Sequence, residues 1–357
     1  MNIDKKTLLD LLNLANTARV GTSPMPILEK FRIETSATEI NVTCTNLDCS
    51  VRVRKAIEGG TENKFVISTL FHDLLKTLSE DTIDLTMGER QKANIKTGAK
   101  TFNISIEDGD LFPQTESIEE PLFVIGVEAS ELLKALNKTV RVIDSHDMSS
   151  TRGLFIELKG DKLKITGTDK TVLSVVTLQP NVTEGEGSVI LSLETAQTLM
   201  KNLALISGGI RLQGGKTYFT ASTEDFFFTG RVVEEKYPNI DKVIPVEESA
   251  TATVQRKAFE GIIKRMNYII EKGGSIIWRV GGGQIIVSAE STEHGRSAEE
   301  TIEAVTAGEI EIKFSPTQYL KVFQQVEEDE VHFIFKNPNS ALKTMEAGQL
   351  ILVMPKR

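Results

Sequence analysis

The chain has 357 residues, of which 40% are hydrophobic and 25% are charged, and its formal net charge is −9 at pH 7. This length and composition are typical of a globular protein of two or three domains. The acidic balance argues against a protein that coats nucleic acid through a uniformly basic surface, although it is compatible with a basic stripe on one face. The sequence has no run of 18 apolar residues and no secretory signal pattern, so we expect a cytoplasmic protein without a membrane span.

An amphipathic segment of similar pattern recurs three times along the chain, at residues 5–19, 129–143 and 255–270. Its apolar residues recur with the spacing of one helix face, so each copy predicts a helix. A second predicted helix follows a strand and a serine in each third, and the three serines are Ser68, Ser192 and Ser315. Each serine is placed as an N-cap, and Pro316 falls at the first helical position, where proline is tolerated.

Strands and turns recur at the same interval. Strands are predicted near 40–43, 163–166 and 285–288, and the turns that precede them are predicted at 35–38, 159–162 and 281–284. Each third ends with an apolar residue followed by proline, at Phe112, Tyr237 and Met354. One unit of about 120 residues is therefore used three times, and it predicts an α+β fold with the helices on one face of the strands. We expect domains at 1–120, 121–246 and 247–357, divided at acidic connectors.

Two glycine-rich motifs resemble nucleotide-binding sites but are better explained as turns between strands. Gly214-Gly215-Lys216-Thr217 lacks the glycine spacing of a phosphate-binding loop and lies between two alternating segments. The glycines at 281–283 are not followed by a helix, as a dinucleotide site requires. Cys44 and Cys49 have no second pair at ligand spacing, so we expect free thiols, no metal and no cofactor. No nucleophile and base can be paired, and an enzyme would need titratable groups that converge in a cleft.

The six predicted helix windows (4–19, 68–80, 127–143, 192–205, 255–272 and 315–329) carry a formal charge of +2, which leaves −11 for the remainder. Lysine and arginine are good helix formers, which by itself explains part of this segregation. Together with helices that share one face, it indicates a basic lining on an acidic body.

Several motifs resemble the bacterial DNA polymerase sliding clamp, the beta subunit of the replicative polymerase. Residues 24–28 resemble the Pro-Ile-Leu step of that family, and 163–169 resemble its second-domain strand and Thr-Asp loop. Residues 237–245 resemble its Phe-Pro-x-Tyr-x-x-Val-x-Pro signature, and 353–357 resemble its terminal Val-Met-Pro-x-Arg. The resemblance covers all three repeats in order.

The resemblance implies three clamp domains, each with two helices packed on antiparallel sheet. It implies a head-to-tail homodimer that forms a ring around duplex DNA, without sequence specificity and without catalysis. The partners that it implies are the replicative DNA polymerase, which the ring tethers as a processivity factor, and a clamp loader. An acidic net charge is intelligible for such a ring, because topological linkage needs few phosphate contacts.

The resemblance also implies three sets of site residues. The apolar pocket for a partner peptide comprises Thr168, Leu173, Pro238, Val243, Val353, Met354 and Pro355. The residues that face DNA are Lys76, Lys134, Lys138, Lys201, Lys264 and Arg265. The dimer interface contains Phe102, Ile104, Ile269 and Ile270.

The sequence departs from the family pattern at several of these sites. Lys170-Thr171-Val172 stands where the family commonly has Gly-His-Arg, and Lys356 replaces an apolar residue. Thr22 and Glu194 stand where the family often has bases. The alternative to a replicative clamp is therefore a divergent, clamp-like interaction scaffold with altered peptide specificity.

Overall fold

The computed structural model describes residues 1–89, 91–114, 118, 120–144, 153–293 and 295–356. Arg357 of the terminal motif and Glu119 at the expected first domain boundary lie outside these residues. Among the described helices, none combines the length and the apolar character needed to cross a membrane.

Each of the six predicted helix windows contains a helix. The helices are α1 (Lys5–Asn16), α2 (Leu70–Thr77), α3 (Ala129–Val140), α4 (Leu193–Leu203), α5 (Arg256–Asn267) and α6 (Pro316–Phe323). The strands are β1 (Asn2–Asp4), β2 (Phe31–Thr35), β3 (Glu39–Thr45), β4 (Cys49–Ala56), β5 (Asn63–Ile67), β6 (Thr82–Gly88), β7 (Lys92–Thr97), β8 (Lys100–Asp108), β9 (Phe123–Glu128), β10 (Gly153–Lys159), β11 (Lys162–Thr168), β12 (Val172–Leu178), β13 (Val182–Gly185), β14 (Gly187–Ser192), β15 (Gly209–Gly214), β16 (Tyr218–Ser222), β17 (Phe226–Arg231), β18 (Ala250–Gln255), β19 (Ile276–Gly281), β20 (Gln284–Ser291), β21 (Arg296–Glu303), β22 (Val305–Ala307), β23 (Ile310–Phe314), β24 (Glu330–Phe335), β25 (Leu342–Glu346) and β26 (Gln349–Val353).

The chain folds into two compact units, and its middle third contributes residues to both. The first unit comprises Met1–Leu133, Leu158–Asp161 and Pro180–Glu234. The second unit comprises Lys134–Glu157, Lys162–Gln179 and Glu235–Arg357.

In the first unit, thirteen strands form one sheet in the order β1-β6-β7-β8-β5-β2-β3-β4-β17-β16-β15-β9-β13. The apolar stripe of α1 is buried through Leu8, Leu11 and Leu12. His72 on α2 is hydrogen-bonded through Nε2 to Asn13 Oδ1 at 2.8 Å, which links the two helices. Burial lowers the pKa of His72, so its ring is neutral at physiological pH.

In the second unit, seven strands lie side by side in the order β11-β12-β26-β25-β24-β18-β22, and a four-stranded sheet has the order β21-β20-β19-β23. Its core is built around aromatic rings. The ring of Trp278 lies 4.4 Å from that of Tyr319 and 4.7 Å from that of Phe259, measured between centroids. The apolar faces of α5 and α6 therefore pack against strand residues in a dense aromatic cluster.

The three serines behave differently from one another. Ser192 caps α4 as expected, because its hydroxyl accepts the Thr195 backbone N–H at 3.1 Å. The prediction for Ser68 is wrong, since α2 begins one residue later and its N-cap is Thr69. Ser315 occupies the N-cap of α6 ahead of Pro316, but its hydroxyl bonds to Thr317 Oγ1 rather than to the backbone.

The glycine-rich motifs are hairpin turns. Gly214-Gly215-Lys216-Thr217 connects β15 to β16, which pair antiparallel, and the Gly215 backbone N–H donates to the Tyr218 carbonyl at 2.9 Å. The glycines at 281–283 join β19 to β20. Gly282 and Gly283 have φ angles of 60° and 80°, a left-handed conformation that favours glycine. Cys44 and Cys49 are buried free thiols.

Candidate functional site

An apolar pocket of about 200 Å³ opens on the second unit. It lies beside the turn between β11 and β12, the segment that starts at Tyr237, and the end of β26. The lining residues are Thr168, Lys170, Thr171, Val172, Leu173, Tyr237, Pro238, Asn239, Ile240, Val243, Leu352 and Met354. The structure thus brings together five of the seven residues expected there, namely Thr168, Leu173, Pro238, Val243 and Met354.

The turn Thr168–Val172, which we call the second turn, forms one side of the pocket and is held by its own side chains. Thr168 Oγ1 donates to the Val172 carbonyl at 2.7 Å and accepts the Lys170 backbone N–H at 3.0 Å. Asp169 Oδ1 accepts the backbone N–H groups of Thr171 and Val172, at 2.9 and 2.7 Å. Lys170 has a φ of 71°, a left-handed conformation that is strained for a residue other than glycine.

A buried carboxylate fixes the second turn to α6. Asp169 has a side-chain exposure of 8%, and its Oδ2 accepts a charged hydrogen bond from Lys321 Nζ at 2.6 Å. Burial alone would raise the pKa of Asp169, but the bonds from Lys321, Thr171 and Val172 outweigh it and hold that pKa below its ordinary value. The carboxylate is therefore ionised at neutral pH and accepts these bonds as an anion.

The floor of the pocket is apolar, and its rim is partly exposed. Leu173 and Leu352 are buried and pack together, with Ile240 against them. Met354 and Val243 are 37% and 48% exposed. Tyr237 is buried behind the rim, where its ring stacks on Phe155 at a centroid distance of 4.5 Å. A cavity with this lining can accept apolar side chains from an extended peptide.

Two residues expected in the lining lie elsewhere. Val353 has no exposed surface and belongs to the aromatic core. Adjacent residues of a strand point to opposite faces of the sheet, so Leu352 and Met354 can face the pocket while Val353 cannot. Pro355 is half-buried beyond the strand and is not part of the lining. The same strand alternation predicts that Leu352 lines the pocket together with Met354. Ile240, another lining residue, lies inside the motif at residues 237–245.

Lys356 does not contact the pocket either. Its backbone N–H donates to the Lys313 carbonyl at 2.8 Å, and its ammonium group donates to the carbonyls of Gly273 and Gly274. The Met354 backbone N–H donates to the Thr171 carbonyl at 2.8 Å. We call residues 354–356 the terminal strap, since both of its ends are fixed by hydrogen bonds.

The basic residues expected to face DNA lie on four helices. Lys76, Lys134 and Lys201 are exposed on α2, α3 and α4. Lys264 is paired with Glu260 on its own helix at 2.7 Å. Arg265 makes a two-point contact with Glu300, at 2.7 and 2.5 Å.

Lys138 is turned towards the protein interior. Only 18% of its side chain is exposed, and its Nζ lies 4.0 Å from Oε2 of the buried Glu346. Glu346 Oε1 accepts the backbone N–H groups of Glu327 and Glu328, both at 2.7 Å, just after α6. Lys138 therefore balances a structural carboxylate, a role that a contact with phosphate would disturb.

The residues expected at a dimer interface occupy two elements. Phe102 is half-buried and Ile104 is buried, both on β8. Ile269 and Ile270 follow α5 and pack against the aromatic core. Next to them Tyr268 is 78% exposed, and sequence reasoning missed it. The Tyr268 carbonyl accepts a hydrogen bond from Arg296, the first residue of β21, at 3.3 Å.

Comparison with known families decides the identity of the chain. Family models of the DNA polymerase III beta subunit match three successive segments: the N-terminal domain over residues 1–116, the central domain over 127–239 and the C-terminal domain over 241–355. The chain belongs to the DNA polymerase III beta subunit family. The expected fold of three repeated clamp domains is thereby confirmed.

Relatives of this beta subunit family match along the whole chain. The beta sliding clamps of Pseudomonas aeruginosa and Escherichia coli K12 are 23% and 22% identical, and each alignment covers 99% of both chains. A crystal structure of the P. aeruginosa clamp bound to griselimycin has a TM-score of 0.92 at 22% identity, covering 100% of this chain and 99% of that one. The beta subunit of Thermotoga maritima has a TM-score of 0.88 at 24% identity, with coverage of 100% and 98%.

Proposed function

We propose that this beta subunit is a DNA sliding clamp that encircles duplex DNA and tethers the replicative DNA polymerase as a processivity factor. The observation that carries the proposal is the ordered match of all three family domains, which together span nearly the whole chain. A ring that stays on DNA by topology acts without catalysis, so the proposed role is that of a tether. The homologues support this role and not the divergent scaffold.

The ring would form from two copies arranged head to tail. Two exposed strand edges favour this arrangement. Among the described strands, residues 100–105 of β8 pair only with β7, and β21 pairs only with β20. Each edge therefore presents unpaired backbone groups that can add a strand from another chain. Phe102 and Ile104 lie on the β8 edge. Ile269 and Ile270 follow Tyr268, whose carbonyl is hydrogen-bonded to Arg296 at the start of the β21 edge.

The proposed domains are 1–120, 121–246 and 247–357, and the helices of all three would line the hole. Lys134 and Lys201 are the strongest candidates for DNA contacts, and Lys76 follows them, because its Nζ lies 3.6 Å from the exposed carboxylate of Asp73 on the same helix. Lys264, Arg265 and Lys138 already have carboxylate partners and would contribute less. The pocket would bind apolar peptide segments of the polymerase and of a clamp loader, one partner at a time.

The experiment measures assembly and topology separately. Sedimentation equilibrium at micromolar concentration should give a dimer, and Phe102→Glu should shift it towards monomer by placing a charge at the interface. Lys6→Glu, a charge change on the exposed first turn of α1, is the control. A chain that sediments only as a monomer contradicts the ring.

Topology is tested with the cognate loader and a nicked circular plasmid. Clamp loaded on the circle should remain bound in about 0.5 M NaCl, where phosphate contacts are largely screened. Linearising the plasmid with a restriction enzyme should release it. Retention on linear DNA would mean that contact, rather than linkage, holds the protein.

A further inference from the structure

The segment that follows α5, residues 268–274, begins with three side chains that are available to a second copy of the chain. We call this segment the interface loop. Tyr268 is 78% exposed, and Ile269 and Ile270 pack against the aromatic core while keeping part of their surface exposed. How these side chains are presented depends on how firmly the rest of the loop is held.

The interface loop contains two adjacent glycines, and one of them supports Ile270. Gly273 has a φ of 82°, a conformation that favours glycine. A Cβ atom on Gly274 would lie 2.8 Å from Cβ of Ile270, so the Gly274 backbone packs directly against that side chain. Glycine has more conformational freedom to lose on ordering than any other residue. An anchor from outside the loop therefore limits the motion of Gly274 and, through it, of Ile270.

Lys356 in the terminal strap provides such an anchor. Its ammonium group donates to the carbonyls of Gly273 and Gly274, and these charge-assisted hydrogen bonds are stronger than neutral ones. Its own backbone N–H donates to the carbonyl of Lys313 on β23 at 2.8 Å, so the side chain starts from a fixed point on a sheet. The family pattern that the sequence resembles has an apolar residue at this position, and an apolar side chain could not make these bonds.

Two other side chains hold the interface loop at different points. The Tyr268 carbonyl accepts a hydrogen bond from Arg296 at 3.3 Å, and the Ser291 hydroxyl donates to the Glu271 carboxylate. Neither bond reaches the two glycines. Among the residues that the structure describes, Lys356 is thus the one side chain that donates to both glycine carbonyls.

We propose that Lys356 is a positioning residue for the dimer interface, because it holds the interface loop so that Ile270 and its neighbours meet the second copy in a preformed arrangement. The inference rests on the proposed function, since it assumes the head-to-tail dimer. A surface that is ordered before assembly loses less conformational entropy when the second copy binds. Loss of the Lys356 bonds therefore weakens the dimer more than it destabilises the folded chain.

The first test measures the dimer dissociation constant of the full chain by native mass spectrometry over a dilution series. Lys356→Met removes the donor but keeps a long side chain, and it should raise this constant about fivefold. Lys356→Arg keeps a donor for the carbonyls and should stay close to wild type. Lys313→Met removes the same charge from β23 but keeps the backbone carbonyl, so it should also stay close. An unchanged constant in Lys356→Met, or an equal rise in Lys313→Met, overturns the proposal.

The second test uses hydrogen exchange to separate a local role from a general loss of stability. It is carried out in the Phe102→Glu background, where the proposed dimer is disrupted and the loop is equally accessible in all samples. Lys356→Met should speed exchange of the amides of residues 272–274 about tenfold and leave the exchange of β8 and the melting temperature unchanged. Unchanged exchange in the loop, or faster exchange throughout the chain, overturns the proposal.

The outcomes also separate this inference from the proposed function. If wild type is a dimer whose dissociation constant does not respond to Lys356→Met, only the role of Lys356 fails. If wild type stays monomeric at micromolar concentration, the proposed ring fails, and the inference fails with it.

Discussion

The second turn, Thr168–Val172, and its counterpart in the first unit, Thr45–Cys49, have nearly the same hydrogen bonds but border different cavities. In the first turn Thr45 Oγ1 donates to the Cys49 carbonyl at 2.9 Å and accepts the Leu47 N–H at 3.1 Å. Asn46 Oδ1 accepts the N–H groups of Asp48 and Cys49, at 3.1 and 2.7 Å. Asn46 thus replaces Asp169 without changing the shape of the turn.

The side chains around the two turns differ in polarity. The cavity beside the first turn measures about 270 Å³ and is lined in part by Ser50, Thr229 and Arg231. The strand pairing sets Gly230 opposite Cys49, just as it sets Val353 opposite Val172. Ser50, Thr229 and Arg231 therefore match Leu173, Leu352 and Met354. One repeated backbone gives an apolar pocket in one place and a polar cavity in the other. Under the proposed function, these three side chains would decide where a peptide docks.

The largest expected effect comes from removing the carboxylate of the second turn. Asp169→Ala leaves two backbone N–H groups and Lys321 without their acceptor, and we expect a loss of about 3 kcal/mol in the free energy of unfolding. Asn46→Ala removes neutral bonds at a half-buried site and should cost about 1 kcal/mol. Urea denaturation measures both, and equal losses would contradict an electrostatic difference between the turns.

The same carboxylate makes a pH dependence that the first turn lacks. Because its pKa is lowered in the folded state, its stabilising contribution is present above the ordinary value of 3.8 and is lost as the pH falls through the folded pKa. Asp169→Asn copies the first turn and keeps its geometry. The stability gap between wild type and Asp169→Asn should therefore shrink below about pH 4.

An intermediate effect is expected from exchanging the matched rim residues. Met354→Arg places the first-unit residue in the pocket and should weaken the binding of an uncharged hexapeptide with apolar side chains by about tenfold or more, because it brings a cation against those side chains. Thermal unfolding should change little, since Met354 is partly exposed. The converse change, Arg231→Met, should create no peptide binding, because Ser50 and Thr229 remain. Binding gained by Arg231→Met alone would show that one residue decides the difference.

The smallest effect concerns the left-handed residue that both turns share. Glycine adopts positive φ without steric cost, so Lys170→Gly should be more stable than Lys170→Ala by about 1 kcal/mol. Leu47→Gly should be more stable than Leu47→Ala by a similar amount. Comparing glycine with alanine leaves out the contribution of the longer native side chain at each site. Chemical denaturation of the four variants checks this. Glycine variants no more stable than their alanine partners would mean that the strain is relieved elsewhere.

Much of the fold follows from local patterns in the sequence. Six helices form where apolar residues recur at helical spacing, and the turns at 214–217 and 281–283 form where glycine separates two alternating segments. Strand alternation also predicts the position of Val353, because it assigns Val353 to the face opposite Met354. The family resemblance, in contrast, implies that both residues line one pocket.

The remaining features depend on contacts between distant parts of the chain. Lys138 and Glu346 are far apart in sequence, and so are Asp169 and Lys321, yet each pair is brought together by the packing of α3 or α6. The sequence around a charged helix residue does not show whether a residue far along the chain will pair with it. For this reason the sequence predicts that these basic residues lie on helices, as they do, but it does not tell which of them already have carboxylate partners.

The terminal strap has a consequence for the entropy of binding. Met354 is fixed on one side by the bond to Thr171, and Lys356 is fixed on the other by Lys313 and the carbonyls of Gly273 and Gly274. A free chain end would have to be ordered when a partner binds, and that ordering would reduce the affinity. In this structure these residues are already ordered by folding, so a peptide bound as proposed would meet a preformed wall and would not have to offset the entropy of ordering it.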